Sequence, residues 1–175
     1  DWKFFDQMPE SLPYKLRENA RVLQVGLGGG DLVRLAEFHK AASLTVVERN
    51  RELSRFLEGL EPAYRPFGEA NMPVLQAPLS LRESKSSFDI IHLSDTLGSP
   101  SAFLGSQHDS QEAFTLEMFR TYRERLAPGG LFVLSIWNHF PAKESLKAWR
   151  MVLETFPKDS SFVIESLQTV LILAG

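Results

Sequence analysis

"RVLQVGLGGGDLVRL", residues 21–35, decides how this chain is read. A β-rich apolar run ends in Gly26, Gly28, Gly29 and Gly30, and a helical pattern starts at once with Asp31 and Leu32. Backbone approaches a ligand closely only where no Cβ intervenes, so a strand, a glycine turn and a helix in succession form a nucleotide-site geometry. The dinucleotide pattern G-x-G-x-x-G needs glycine at position 31, where Asp31 instead sets a negative charge in the place of a pyrophosphate. The alternative G-x-G-x-G, at Gly26, Gly28 and Gly30, suits the adenosyl part of an S-adenosylmethionine-type ligand, whose positive sulfonium tolerates nearby carboxylate. Glu48 ends the next β-rich run and is expected to accept hydrogen bonds from both ribose hydroxyls.

Around this turn, β-rich runs alternate with amphipathic stretches. Strands are expected at "RVLQVG" (21–26), "LTVVER" (44–49), "PVLQAPL" (73–79), "FDIIHLSD" (88–95) and "LFVLSIW" (131–137). Most are continuously apolar, as strands buried on both faces must be. Helices are expected over Leu32–Lys40, Arg51–Leu60, 110–127 and 143–156, with "PGG" at 128–130 ending the third. "FVIESLQ" and "TVLILAG" read as a closing antiparallel pair. The fold class that follows is α/β: a Rossmann-like three-layer sandwich with a mainly parallel sheet, one domain spanning residues 1–175. The Gly-, Ser- and Pro-rich stretch Leu97–Asp109 follows a strand's carboxyl end, where open α/β sheets place their ligands, and its His108 and Asp109 are candidates to line an acceptor pocket.

Composition narrows the function. A net charge of -3 with Lys and Arg scattered among acids gives no basic field for nucleic acid. The chain has no cysteine, which excludes disulfides, thiolate metal sites and a cysteine nucleophile. Its four histidines, at 39, 92, 108 and 139, lack the short spacings of zinc ligands, so no metal is expected. No apolar run approaches the roughly 20 residues that cross a bilayer, so the segment is expected to be soluble, without direct membrane contact.

The ordered set "SLPYKL", "GLGGGDLVRLAEFH", "VVERN", "FDIIHLSDTLGS", "TLEMFRTYRERLAPGGLFVLSIW" and "FPAKESLKAW" resembles the spermidine synthase-like branch of the class I methyltransferase superfamily. It resembles in particular those variants fused to membrane-spanning segments. The resemblance implies a cytosolic domain of a membrane-anchored parent, a homodimer, and transfer of an aminopropyl group from decarboxylated S-adenosylmethionine to a polyamine. That reaction needs carboxylates, to hold cationic ends in line and to take a proton from an ammonium whose ordinary pKa is near 10.

Against the family pattern, the acid within the glycine turn falls on Gly29, with Asp31 two residues on as a partial replacement. The acid expected beside the adenine is replaced by Ala77 and Pro78. Of two aspartates three residues apart at the end of the fourth strand, the second matches Asp95, and the first, the presumed base, falls on His92. Asp95 and His92 are thus the candidate catalytic residues, with His92 a substitute base or else a satisfied core histidine. Two alternatives stand beside aminopropyl transfer: methyl transfer from S-adenosylmethionine, though Gln24 replaces the acid that commonly holds the methionine amine, and a ligand-sensing or assembly domain without catalysis.

Overall fold

In a computed structural model, the structure describes residues 2–27, 30–48, 52, 55–56, 59–60, 74–75, 80–94, 113–138, 141–166 and 169–175. Among the described residues seven strands form one sheet: β1 (Arg21–Val25), β2 (Ser43–Val47), β3 (Val74–Leu75), β4 (Phe88–Ser94), β5 (Leu126–Trp137), β6 (Ser161–Glu165) and β7 (Thr169–Ala174). Their order is β3-β2-β1-β4-β5-β7-β6. The first five pair in parallel, and β7 runs antiparallel to both β5 and β6. This is the expected architecture: a mainly parallel sheet, closed by an antiparallel pair.

Parallel strands need crossovers, and the helices fill both faces of the sheet. On one face α1 (Leu12–Leu16) and α2 (Asp31–Phe38) pack Tyr14, Leu32, Leu35 and Ala36 against Val22, Ile90, Val133 and Leu171. On the other, α4 (Leu116–Arg125) and α5 (Lys143–Thr155) pack Phe119, Tyr122 and Val152 against Leu23, Ile91, Phe132 and Ile172. The two sets alternate along each strand, as a period of two demands. The register of β1 on β4 is pinned at its start, where Arg21 Nε, Nη2 and its backbone N–H donate to the Asp89 carboxylate at 2.8–3.0 Å.

Three expectations are corrected. The third helix begins at Leu116, capped by the Thr115 hydroxyl, which accepts the Met118 N–H at 3.2 Å, and it stops at Arg125 rather than at "PGG". The strand already starts at Leu126: Phe88 faces Leu126 but Ile90 faces Leu131, so Ala127–Gly130 bulge out of the ladder. Gly129 takes φ +71 there, and a Cβ on Gly130 would lie 2.9 Å from the Ala127 carbonyl, so both glycines serve the bulge and not a helix cap. The N-terminal turns Trp2–Gln7 and Pro9–Ser11, and α3 (Ser80–Glu83), were not anticipated.

Of the expected helix Arg51–Leu60, residues 52, 55, 56 and 59 are helical. Residues 76–79 and the Leu97–Asp109 stretch lie outside the described residues. Among the described residues no helix is long and apolar enough to cross a membrane. Removing the Thr115 cap with Thr115→Ala is expected to cost about 1 kcal/mol, read as a lower urea midpoint at unchanged slope.

Candidate functional site

The strand order reverses between β1 and β4, and open α/β sheets take ligands at the carboxyl ends beside such a switch point. The glycine turn stands there. Gly26 and Gly30 both adopt φ +86, the left-handed region open to glycine at no steric cost, and the space where a Gly26 side chain would project holds no atom within 4 Å. The turn is held from three sides. The Gly26 N–H donates to the Val47 carbonyl at 2.8 Å, the Gly30 N–H donates to the Leu27 carbonyl at 3.0 Å, and the Gln24 amide donates to the Gly26 carbonyl at 2.9 Å. Leu27 anchors the turn from below, buried with Val33 and Val46.

Glu48 follows β2 directly, and β2 is the hydrogen-bonded neighbour of β1. Its carboxylate accepts the Leu27 N–H at 3.0 Å, so the acid and the turn are in contact. Asp31 is the first residue of α2, at the positive end of the helix dipole. The structure therefore brings Gly26, Gly30, Asp31 and Glu48 to one edge of the sheet. Gly28, Gly29 and Asp95 lie outside the described residues.

His92 requires a correction. The substitute-base reading needs an imidazole that reaches substrate, yet His92 is 0 % exposed in mid-strand on the α1 face of β4. Its Nε2 lies 2.9 Å from the Ser135 hydroxyl and its Nδ1 3.5 Å from the Tyr14 hydroxyl. Burial pushes its pKa down to about 3, so the ring is neutral and enclosed. It is a core histidine with polar partners.

Some buried polar groups escape sequence reading. Gln24, 1 % exposed, stands in the sequence only as a missing acid, whereas in the structure it holds the turn's first carbonyl. Glu10 is 2 % exposed and bonded to Thr169, the first residue of β7, and burial raises its carboxyl pKa. The "PES" in which it sits looks like a helix start, with nothing to signal burial. Tyr14, the link between His92 and the stacked ring of His39 at 5.6 Å, reads as one more apolar residue of "SLPYKL". Among the described residues no group of His, Asp and Glu is arranged to hold a metal.

The fold is shared with known proteins at low identity. Spermidine synthase from Thermotoga maritima superposes with a TM-score of 0.70 at 18% identity, over 99% of this chain and 60% of that one. A ribosomal protein L11 methylase from Lactobacillus delbrueckii subsp. bulgaricus superposes at 0.62, with 15% identity over 95% of this chain and 76% of that one. The glycopeptide N-methyltransferase MtfA complexed with S-adenosyl-L-homocysteine superposes at 0.61, with 14% identity over 94% and 88%. The chain thus spans about three fifths of the spermidine synthases it resembles. No curated protein sequence matches it. A family model described as "Methyltransferase domain" matches residues 3–175, nearly the whole chain, and the protein belongs to that family.

Proposed function

We propose that this domain binds S-adenosylmethionine or its decarboxylated form over the glycine turn and transfers an alkyl group from the sulfonium to a small amine. The observation that carries the reading is the contact between Glu48 and the Leu27 N–H beneath the open space at Gly26. It joins a carboxylate suited to ribose hydroxyls with a cradle free of side chains. Gly26, Gly28, Gly29 and Gly30 would take the nucleoside, Glu48 the ribose, and Asp31 the positive charge of the donor.

Transfer is a displacement. The amine lone pair forms the new carbon–nitrogen bond, the carbon–sulfur bond breaks, its electron pair stays on sulfur as a neutral thioether, and the nitrogen gives up a proton. For an aminopropyl donor and a polyamine acceptor, Asp95 is the proposed proton acceptor and counter-charge. Methyl transfer is the second reading, and the enclosure of His92 favours it, because alignment alone supplies much of that reaction's acceleration. A domain that binds without transfer is the third.

Incubation with each donor and a panel of amines separates these readings by the sulfur product. Methylthioadenosine marks aminopropyl transfer and adenosylhomocysteine marks methylation, while calorimetric binding with neither product marks a sensor. Glu48→Ala is expected to weaken nucleoside binding by about 1.5 to 3 kcal/mol, the worth of a hydrogen bond to a charged acceptor. Unchanged affinity in that variant would refute the ribose assignment.

A further inference from the structure

At one margin of the sheet, the edge strand β6 carries an apolar run with no proline, lysine or bulge to blunt it. Phe162 and Val163 are 62% and 46% exposed although they stand on opposite faces of the sheet. Packing on one face therefore cannot cover both. An occupant lying alongside the edge would cover both.

The backbone says which groups that edge offers. The Ser166 N–H donates to the Thr169 carbonyl at 2.8 Å and the Ser160 carbonyl accepts the Gly175 N–H at 3.2 Å, so the even-numbered residues of β6 spend their backbone bonds on β7. By the alternation of an antiparallel ladder, Ser161, Val163 and Glu165 point their N–H and C=O groups outward, toward no strand among the described residues.

From this we infer that β6 is the surface through which two copies of this chain associate, antiparallel and edge to edge about a two-fold axis at Val163. In that register Val163 faces its own copy and Ser161 faces Glu165, so all three outward-pointing residues form hydrogen-bonded pairs. Phe162 then lies opposite Ile164 on one face, and the two Val163 side chains meet on the other. Neighbouring registers with outward groups still matched are worse. One sets Glu165 against Asp159, two like charges, and the other sets Val163 against the Glu165 carboxylate. The sequence of β6 is thus self-complementary in one register, which argues for a second copy rather than an unrelated peptide. The inference is independent of the nucleoside reading.

Sedimentation across a range of concentrations tests it on the chain as it stands. Wild type is expected to show a reversible monomer–dimer equilibrium. Val163→Pro deletes an outward N–H that β7 does not use, so the variant keeps its far-ultraviolet dichroism and thermal unfolding while the dimer weakens about tenfold or more. Phe162→Lys, at an exposed position, is expected to act likewise. In Val163→Cys, the chain's only cysteine would face its copy with Cα atoms about 5.5 Å apart, within disulfide reach, and oxidation is expected to yield a covalent dimer. A wild type that is monomeric at every concentration overturns the inference, as does a dimer indifferent to both Val163→Pro and Phe162→Lys. A monomer whose Val163 amide is protected from exchange only by an added β-strand peptide makes the edge a peptide site, and also overturns it.

Discussion

Phe132→Ala is expected to destabilise the domain by about 3 to 5 kcal/mol, the usual cost of emptying a fully buried phenylalanine site. Phe132 is 0 % exposed at the centre of β5, with ring centroids 5.1 Å from Phe119, 5.8 Å from Tyr122 and 5.0 Å from Phe156. Those rings come from α4 and from the end of α5, so one side chain joins two helices to the sheet. The cavity left cannot close without moving three aromatic neighbours, which places the cost toward the upper part of the range. Against a total stability of about 5 to 15 kcal/mol, this is a large fraction. Thermal unfolding is expected to fall by roughly 10 °C. Leu146→Ala, at a position 64% exposed on α5, is expected to stay within about 0.5 kcal/mol. Equal losses in the two variants would mean that the aromatic cluster is not the structural centre described here.

The second large effect is on acid stability. His92 titrates near 6.5 when the chain is unfolded, but burial holds its folded pKa at about 3. Below pH 6.5 the unfolded chain binds a proton there that the folded chain refuses. Stability from this residue is therefore complete above pH 6.5 and is lost as pH falls toward 3. The slope is about 1.4 kcal/mol per pH unit, or roughly 3 kcal/mol between pH 6.5 and 4.5. His39 contributes in the same direction, since burial lowers its pKa while Asp6 works the other way. Asp89, held below its ordinary value by Arg21, adds its loss only at lower pH. Urea midpoints of wild type and His92→Gln, measured between pH 7 and 4.5, isolate the histidine. The variant starts lower and has the flatter profile; parallel profiles would show that His92 titrates normally and reaches solvent.

Much of the fold was legible because burial on both faces forces a distinctive composition. In "RVLQV" and "FDIIHLS" apolar residues stand at consecutive positions, Val22–Leu23 and Ile90–Ile91, instead of alternating with polar ones, and two-sided burial of parallel strands produces that pattern. The beginning of β5 was not legible, since "APGG" carries a helix-stop signal whether it ends a helix or forms a bulge inside a strand. Only the tertiary pairing of Phe88 with Leu126 separates the two cases. The pairing of the glycine turn with Glu48 was legible for a topological reason: β2 follows β1 by a crossover and lies beside it, so the two strand ends must meet. His92 was misleading because one polar residue in an apolar strand looks the same whether it faces a ligand or a buried hydroxyl. Its partners Tyr14 and Ser135 are 78 and 43 residues away in sequence.

The proposed function requires an adenosyl nucleoside to lie against the turn that joins β1 to α2. Titration of isotope-labelled wild type with adenosylhomocysteine, and separately with methylthioadenosine, followed by amide resonances, tests that most directly. The predicted result is saturable shifts centred on Gly26 to Asp31 and on Glu48, with the far edge at β6 unaffected. Saturating shifts located elsewhere, or none with either nucleoside, would contradict it.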